Sequence, residues 1–195
     1  MAGSRRDTEA TLHVSDVRPG AVVLVGFMGA GKTRVGRALS ERLGWRFQDL
    51  DDRVQAREGR TVADIFRDSG EGDFRRAEHA ALQDFLAELE TGGPLILALG
   101  GGAFVEPANA SLLESMAMPT VYLDASAEEL WRRCGGDSVV RPLRSDESAF
   151  RQLYEVRRPK YLRAQLRVET GGREIEEIVN EIVDRLGLKR SGQEK

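Results

Sequence analysis

The chain alternates between short, unbroken apolar runs and longer stretches in which apolar residues recur at helical spacing. Ala21-Val22-Val23-Leu24-Val25 is rich in β-branched residues and predicts a buried strand. Val35, Ala38, Leu39 and Leu43 then recur at helical spacing up to Gly44, a helix stop. Arg46 to Asp51 predicts a short second strand ending in carboxylates. Residues 52–72 are charged and broken by Gly59, Gly70 and Gly72, and Thr61 with Asp64 forms a capping-box pattern ahead of a short helix through Ile65 and Phe66. A longer helix over Phe74 to Glu90 carries a stripe of Leu82, Phe85, Leu86 and Leu89 and stops at Gly92-Gly93-Pro94.

Leu95 to Leu99 predicts a third buried strand, running directly into Gly100-Gly101-Gly102. A helix over 107–117, a strand over Thr120 to Leu123 and a helix over Ala127 to Cys134 follow. Gly135 to Ser145 has no period. From Asp146 a helix carries Phe150, Leu153, Tyr154 and Arg157, and Pro159 is expected to kink or end it. Leu166 to Glu169 is a fifth strand, and Ile175, Ile178, Val179, Ile182, Val183 and Leu186 mark a last helix. Strands alternating with helices predict an α/β fold: a five-stranded, mostly parallel sheet covered on both faces. Residues 1–20 and 188–195 read as polar tails around one domain over 21–187.

Composition narrows the function classes. A chain of 195 residues with formal net charge -3 lacks the basic surface of a general nucleic-acid binder. An anionic ligand must therefore be held by locally placed cations. The single cysteine, Cys134, excludes an internal disulfide and suits a cytoplasmic location. No apolar run approaches the length of a membrane span, so no membrane partner is expected. Of the two histidines, His13 lies in the N-terminal tail and His79 is expected on a charged helix face.

The candidate chemistry centres on Gly26-Phe27-Met28-Gly29-Ala30-Gly31-Lys32-Thr33, which fits the phosphate-binding pattern G-x-x-x-x-G-K-[ST] between a strand and a helix. Glycines let several N–H groups point at one anion, and the helix N-terminus adds its positive end. Lys32 would reach the β- and γ-phosphates, and the Thr33 hydroxyl would take a place on Mg²⁺. Asp49, Asp51 and the triple glycine also fall at carboxyl ends of predicted strands, where ligands of such sheets bind. On the residues alone, Asp51 also reads as a helix cap, Arg75 as a solvated charge, the triple glycine as a plain turn and Arg141 as an ordinary loop charge.

Taken together, these stretches resemble the shikimate kinase family. The likeness runs in order through the phosphate loop, Asp49-Leu50-Asp51, Ala63-Asp64-Ile65-Phe66, Phe74-Arg75-Arg76-Ala77-Glu78, Gly100-Gly101-Gly102-Ala103, Arg141-Pro142-Leu143 and Arg157 with Pro159 and Tyr161, covering about residues 21 to 186. The resemblance implies a P-loop kinase fold with a shikimate-binding segment near 50–80 and a lid near 135–147. It also implies transfer of the ATP γ-phosphoryl to the 3-hydroxyl of shikimate, in aromatic amino-acid biosynthesis, by a monomer with Mg²⁺ as cofactor.

By matching positions, Gly29, Ala30, Gly31, Lys32, Thr33, Arg34, Arg133 and Arg141 would bind ATP, with Arg133 against adenine. Thr33 and Asp49 would serve the metal. Asp51, Arg75, Gly100, Gly101, Gly102 and Arg157 would bind shikimate, and Lys32, Asp51 and Arg141 would be catalytic. Arg34 departs from the family, where a small hydroxyl residue often follows the loop threonine, and Arg158 competes with Arg157 for the carboxylate role. The rival readings are another small-molecule kinase of this fold, such as a gluconate kinase, and a non-catalytic or GTPase-like nucleotide binder. The absence of an N-K-x-D guanine-reading motif counts against a GTPase.

Overall fold

The computed structural model describes residues 20–89, 92–136 and 146–191. All of the expected N-terminal extension but Gly20, the last four residues and most of the expected lid, Arg141 included, lie outside this range. The strands are β1 (Ala21–Val25), β2 (Arg46–Asp49), β3 (Leu95–Ala98), β4 (Thr120–Asp124) and β5 (Leu166–Glu169). They form one parallel sheet in the order β2-β3-β1-β4-β5. Every residue of β1, β3 and β4 is buried, which requires cover on both faces, whereas edge strand β5 alternates buried and exposed.

The helices are α1 (Lys32–Leu43), α2 (Leu50–Glu58), α3 (Val62–Glu88), α4 (Pro107–Ser115), α5 (Ala127–Gly136), α6 (Glu147–Tyr161) and α7 (Ile175–Leu186). α1 and α7 pack against each other. From β1 the chain crosses to β2 at one edge and returns to β3, and from β3 it crosses to β4 on the other side of β1, so the crevice where strand order reverses opens at the carboxyl ends of β1 and β3. The phosphate-binding pattern falls at that point.

Three expected boundaries move. β2 stops at Asp49 and helix α2 begins at Leu50, so Asp51 lies in a first helical turn and not on a strand. The cause is local: Asp49 caps the helix by accepting the Asp51 N–H, and Asp51 and Asp52 stand at its positive end. The two helices expected on either side of Gly70 are present as the two limbs of α3, kinked at Gly70, whose φ of 79° and ψ of 175° leave helical space, and the second limb starts at Glu71 and not at the expected Phe74. Pro159 does not end α6, which continues to Tyr161. It lies in the last turn, where one missing donor interrupts little of the ladder, and Leu162 N–H still bonds Arg158 O at 3.2 Å.

Candidate active site

The phosphate-binding loop joins β1 to α1. Gly29 and Gly31 hold φ of 80° and 89°, and Gly31 is the N-cap of α1 with no side chain bonded to that helix end. The positive end of the α1 dipole therefore faces the loop without a capping side chain, which favours an anion there. Lys32 Nζ donates to Gly26 O at 2.9 Å and Phe27 O at 3.0 Å, which holds the ammonium over the loop. Thr33 Oγ1 donates to Asp49 Oδ2 at 2.9 Å. Asp49 thus has two tasks, since its other oxygen caps α2.

A hollow of about 440 Å³ opens over the loop, lined by Gly29 to Val35, Arg132, Arg133, Thr170, Arg173, Ile175 and Ile178. Arg133 is held in its wall by Glu129 at 2.9 Å, Thr170 O at 2.7 Å and Thr170 Oγ1 at 3.2 Å. The wall contributed by Thr170, Arg173, Ile175 and Ile178 escaped the sequence reading, because these residues reach the loop only through the β4–β5 pairing and the turn after β5. A shallower hollow of about 330 Å³ between α2 and α3 holds Arg57, Arg60 and Arg76, but each meets a carboxylate, Asp84, Glu58 and Asp73 respectively.

A second polar cluster sits beside the loop after β3. A Cβ on Gly100 would lie 2.5 Å from Asp51 Oδ1, and one on Gly102 would lie 2.7 Å from the guanidinium carbon of Arg75. These two glycines make room for the side chains of Asp51 and Arg75. Arg75 donates to Glu78 at 2.8 Å and Glu71 at 3.1 Å, with Glu106 at 3.8 Å. Glu78 is fully buried, and its Oε1 and Arg75 Nε lack hydrogen-bond partners among the described residues. Burial pushes the Glu78 carboxyl up to about 7, although Arg75 pulls it down; Asp51 and Glu106 add to the rise.

From α6, Arg157 Nη1 lies 3.4 Å from Gly101 O, and the Tyr161 hydroxyl donates to the same carbonyl. Burial raises the Tyr161 hydroxyl, so it stays a neutral donor. Arg158 points elsewhere, donating to Asp124 at 3.1 Å. His79 is not on a charged face: it is half-buried, its Nδ1 2.7 Å from the buried Asn109 Oδ1, and Asn109 donates to Ala103 O at 3.0 Å. Arg34 lies at the exposed rim of the nucleotide hollow.

Two half-sites thus meet at one sheet edge. One is a cationic hollow built for phosphates; the other is a compact set of two carboxylates and two arginines. Thr33 and Asp49 supply hard oxygen ligands beside the loop, a donor set that suits Mg²⁺ held mainly by phosphate and water. Among the described residues no three-residue His, Cys, Asp or Glu cluster forms a metal cage.

Fold and site define a P-loop phosphoryl transferase of the small-molecule kinase type. The family model of shikimate kinase matches residues 28–187. A shikimate kinase of Thermus thermophilus is 40% identical over 168 residues, 85% of this chain and 89% of that protein. The solved structure of a shikimate kinase from Acinetobacter baumannii in complex with shikimate superposes with a TM-score of 0.77 at 34% identity, covering 85% of this chain and 92% of that one. A gluconokinase from Sinorhizobium meliloti shares the fold at a TM-score of 0.56 and 21% identity, covering 87% of this chain and 92% of that one. The chain belongs to the shikimate kinase family. No helix among the described residues is long and apolar enough to cross a membrane.

Proposed function

We propose that this chain transfers the γ-phosphoryl group of ATP to the 3-hydroxyl of shikimate, giving shikimate 3-phosphate and ADP. The observation that carries the reading is the divergence of Asp49 and Asp51. Asp49 meets Thr33 on the phosphate side, and Asp51, one helical turn entry later, abuts Gly100 on the other. One local bend thereby serves both substrates.

In this reading the loop N–H groups, Lys32 and the α1 N-terminus bind the phosphates, with Gly29, Ala30 and Gly31 shaping the loop. Thr33 and Asp49 would hold Mg²⁺ beside the phosphates. Mg²⁺ would neutralise charge developing on the phosphoryl oxygens. Arg133 and Arg34 border the nucleotide, and Arg141 would close over the phosphates. Asp51 accepts a hydrogen bond from the acceptor hydroxyl and serves as its base. Arg75 and Arg157 offer donors to the shikimate carboxylate. For Arg75 the substrate replaces part of the company of Glu71 and Glu106, while Glu78 stays as its buried anchor. Gly100, Gly101 and Gly102 keep this floor low enough for a ring to settle on backbone. The enzyme acts as a monomer in the cytoplasm.

The test is ADP release measured with shikimate, with gluconate and without acceptor. Turnover with shikimate alone is expected. Equal rates with gluconate would overturn the acceptor assignment, and equal rates without any acceptor would make the chain an ATPase.

A further inference from the structure

Asp124 ends β4 and is only 3% exposed, yet no step of the reaction uses it. Its carboxylate is fully engaged. Oδ1 accepts the Tyr122 hydroxyl at 2.6 Å, and Oδ2 accepts Arg158 at 3.1 Å and Arg167 at 2.8 Å. Its main-chain carbonyl accepts the Thr170 N–H at 2.7 Å and hydroxyl at 3.1 Å, and Thr170 in turn carries Arg133 in the wall of the nucleotide hollow. Tyr122 is held as a neutral donor, because burial and the Asp124 carboxylate both raise it.

The consequence lies in α6. Adjacent residues on a helix point roughly 100° apart, so tying down one sets the direction of the next. Arg158 is tied to Asp124, and Tyr154, one turn earlier, donates to Ala125 O at 3.0 Å. Together with the buried faces of Phe150 and Tyr161, these two bonds hold the rotation of α6 against the end of β4. With that rotation set, Arg157 faces Gly101 and Phe27 instead of solvent.

We infer that Asp124 is a positioning residue for acceptor binding: through Arg158 it sets the rotation of α6 that presents Arg157 to the acceptor pocket. The inference rests on the assignment of Arg157 to the shikimate carboxylate. A buried carboxylate paired with partly exposed arginines contributes little net stability against apolar packing, so this cluster's distinctive contribution is geometry. A charge-assisted clamp of this kind also explains why two consecutive arginines have different partners.

The test is steady-state kinetics, varying shikimate and ATP separately, on Arg158→Ala, Arg158→Lys, Asp124→Asn, Arg167→Ala and Arg157→Ala, with thermal melts on each. Arg158→Ala should raise KM for shikimate roughly tenfold, the size of effect expected from a displaced binding group, with KM for ATP unchanged. Asp124→Asn should do the same to a smaller degree, and Arg158→Lys should recover part of the loss. Combining Asp124→Asn with Arg158→Ala should be no worse than Arg158→Ala alone. Arg167→Ala removes another partner of the same carboxylate without touching α6. It should lower the melting temperature and leave both KM values alone.

If Arg157→Ala raises the shikimate KM while Arg158→Ala and Asp124→Asn do not, the positioning role is overturned and the acceptor reading stands. If Arg157→Ala itself leaves shikimate KM unchanged, the acceptor reading of Arg157 fails and the clamp fails with it. If Arg167→Ala shifts shikimate KM as much as Arg158→Ala, Asp124 acts through general stability and the inference is wrong.

Discussion

The guanidinium of Arg157 rides over the ring of Phe27, 5.9 Å from its centre, so the arginine proposed for the acceptor carboxylate leans on the phosphate loop itself. Phe27 is 1% exposed and also meets the rings of Phe150 at 5.0 Å and Tyr154 at 5.6 Å, both edge-on. An unspecified position of the loop motif is therefore a core residue that ties the loop to α6. Phe27→Ala should cost about 3–5 kcal/mol of unfolding free energy, the usual loss for a truncated buried phenylalanine. It should also weaken shikimate binding by freeing Arg157. An unchanged denaturation midpoint would contradict this packing.

Lys32→Ala should reduce turnover by at least about 10²-fold, since one preorganised donor to developing charge is lost. Folding should survive, because Lys32 is only half-buried and its bonds are to loop carbonyls. ADP release and a melting curve on the same sample decide the matter. Turnover at the parent rate would remove the loop from the reaction.

The two aspartates should separate cleanly. Asp49→Asn should raise the Mg²⁺ requirement, because an amide is a poorer partner for the metal's water shell. Asp51→Asn should leave Mg²⁺ and ATP binding near the parent values and slow transfer by about 10²–10⁴-fold if Asp51 is the base. A smaller loss with weaker shikimate binding would mean that it only positions the hydroxyl. Paired Mg²⁺ and shikimate titrations on each variant make the comparison, and reversed defects would swap the roles.

Gly102→Ala places a methyl group 2.7 Å from the Arg75 guanidinium carbon, and Gly102 has an ordinary φ of -103°, so backbone strain is not the issue. Arg75 must swing away. The shikimate KM should rise about ten- to a hundredfold, the weight of one charge-assisted hydrogen bond or two, with KM for ATP unchanged. Calorimetric binding of shikimate at the parent affinity would show that Arg75 lies outside the pocket.

Glu78 should give the fold a pH dependence. Burial raises its folded pKa to about 7 from an ordinary 4.5, so between these values the folded state binds the extra proton. Its stabilising contribution is full below about pH 4.5, falls as pH rises and is lost by about pH 7. Glu78→Gln, neutral throughout, should flatten stability over that window relative to the parent. Urea unfolding at several pH values measures it. An equal slope in the two proteins would mean that Glu78 stays ionised in the folded chain.

Much of the fold was legible in the chain. β1, β5 and α7 begin and end where the apolar pattern places them, because continuous burial and helical period are local signals. The family likeness pointed further, to Asp51, Arg75 and Arg157, which the fold brings together around the triple glycine. The boundary at Asp49 was misplaced because a helix cap competes with strand extension, and the outcome depends on the Asp51 N–H finding the Asp49 carboxylate.

Other facts belong to the tertiary structure alone. Periodicity marks Glu78 and His79 as helical but cannot say that one is buried against Arg75 and the other bonded to Asn109. Nor does it distinguish Arg157 from Arg158. Their difference comes from Asp124, 34 residues before Arg158 in the chain and brought to it by the packing of α6 at the end of β4. Local sequence determines which residues share a helix face or a strand. Which charged group on that face meets a partner is decided by long-range packing, because only there are charges desolvated enough for a single partner to matter.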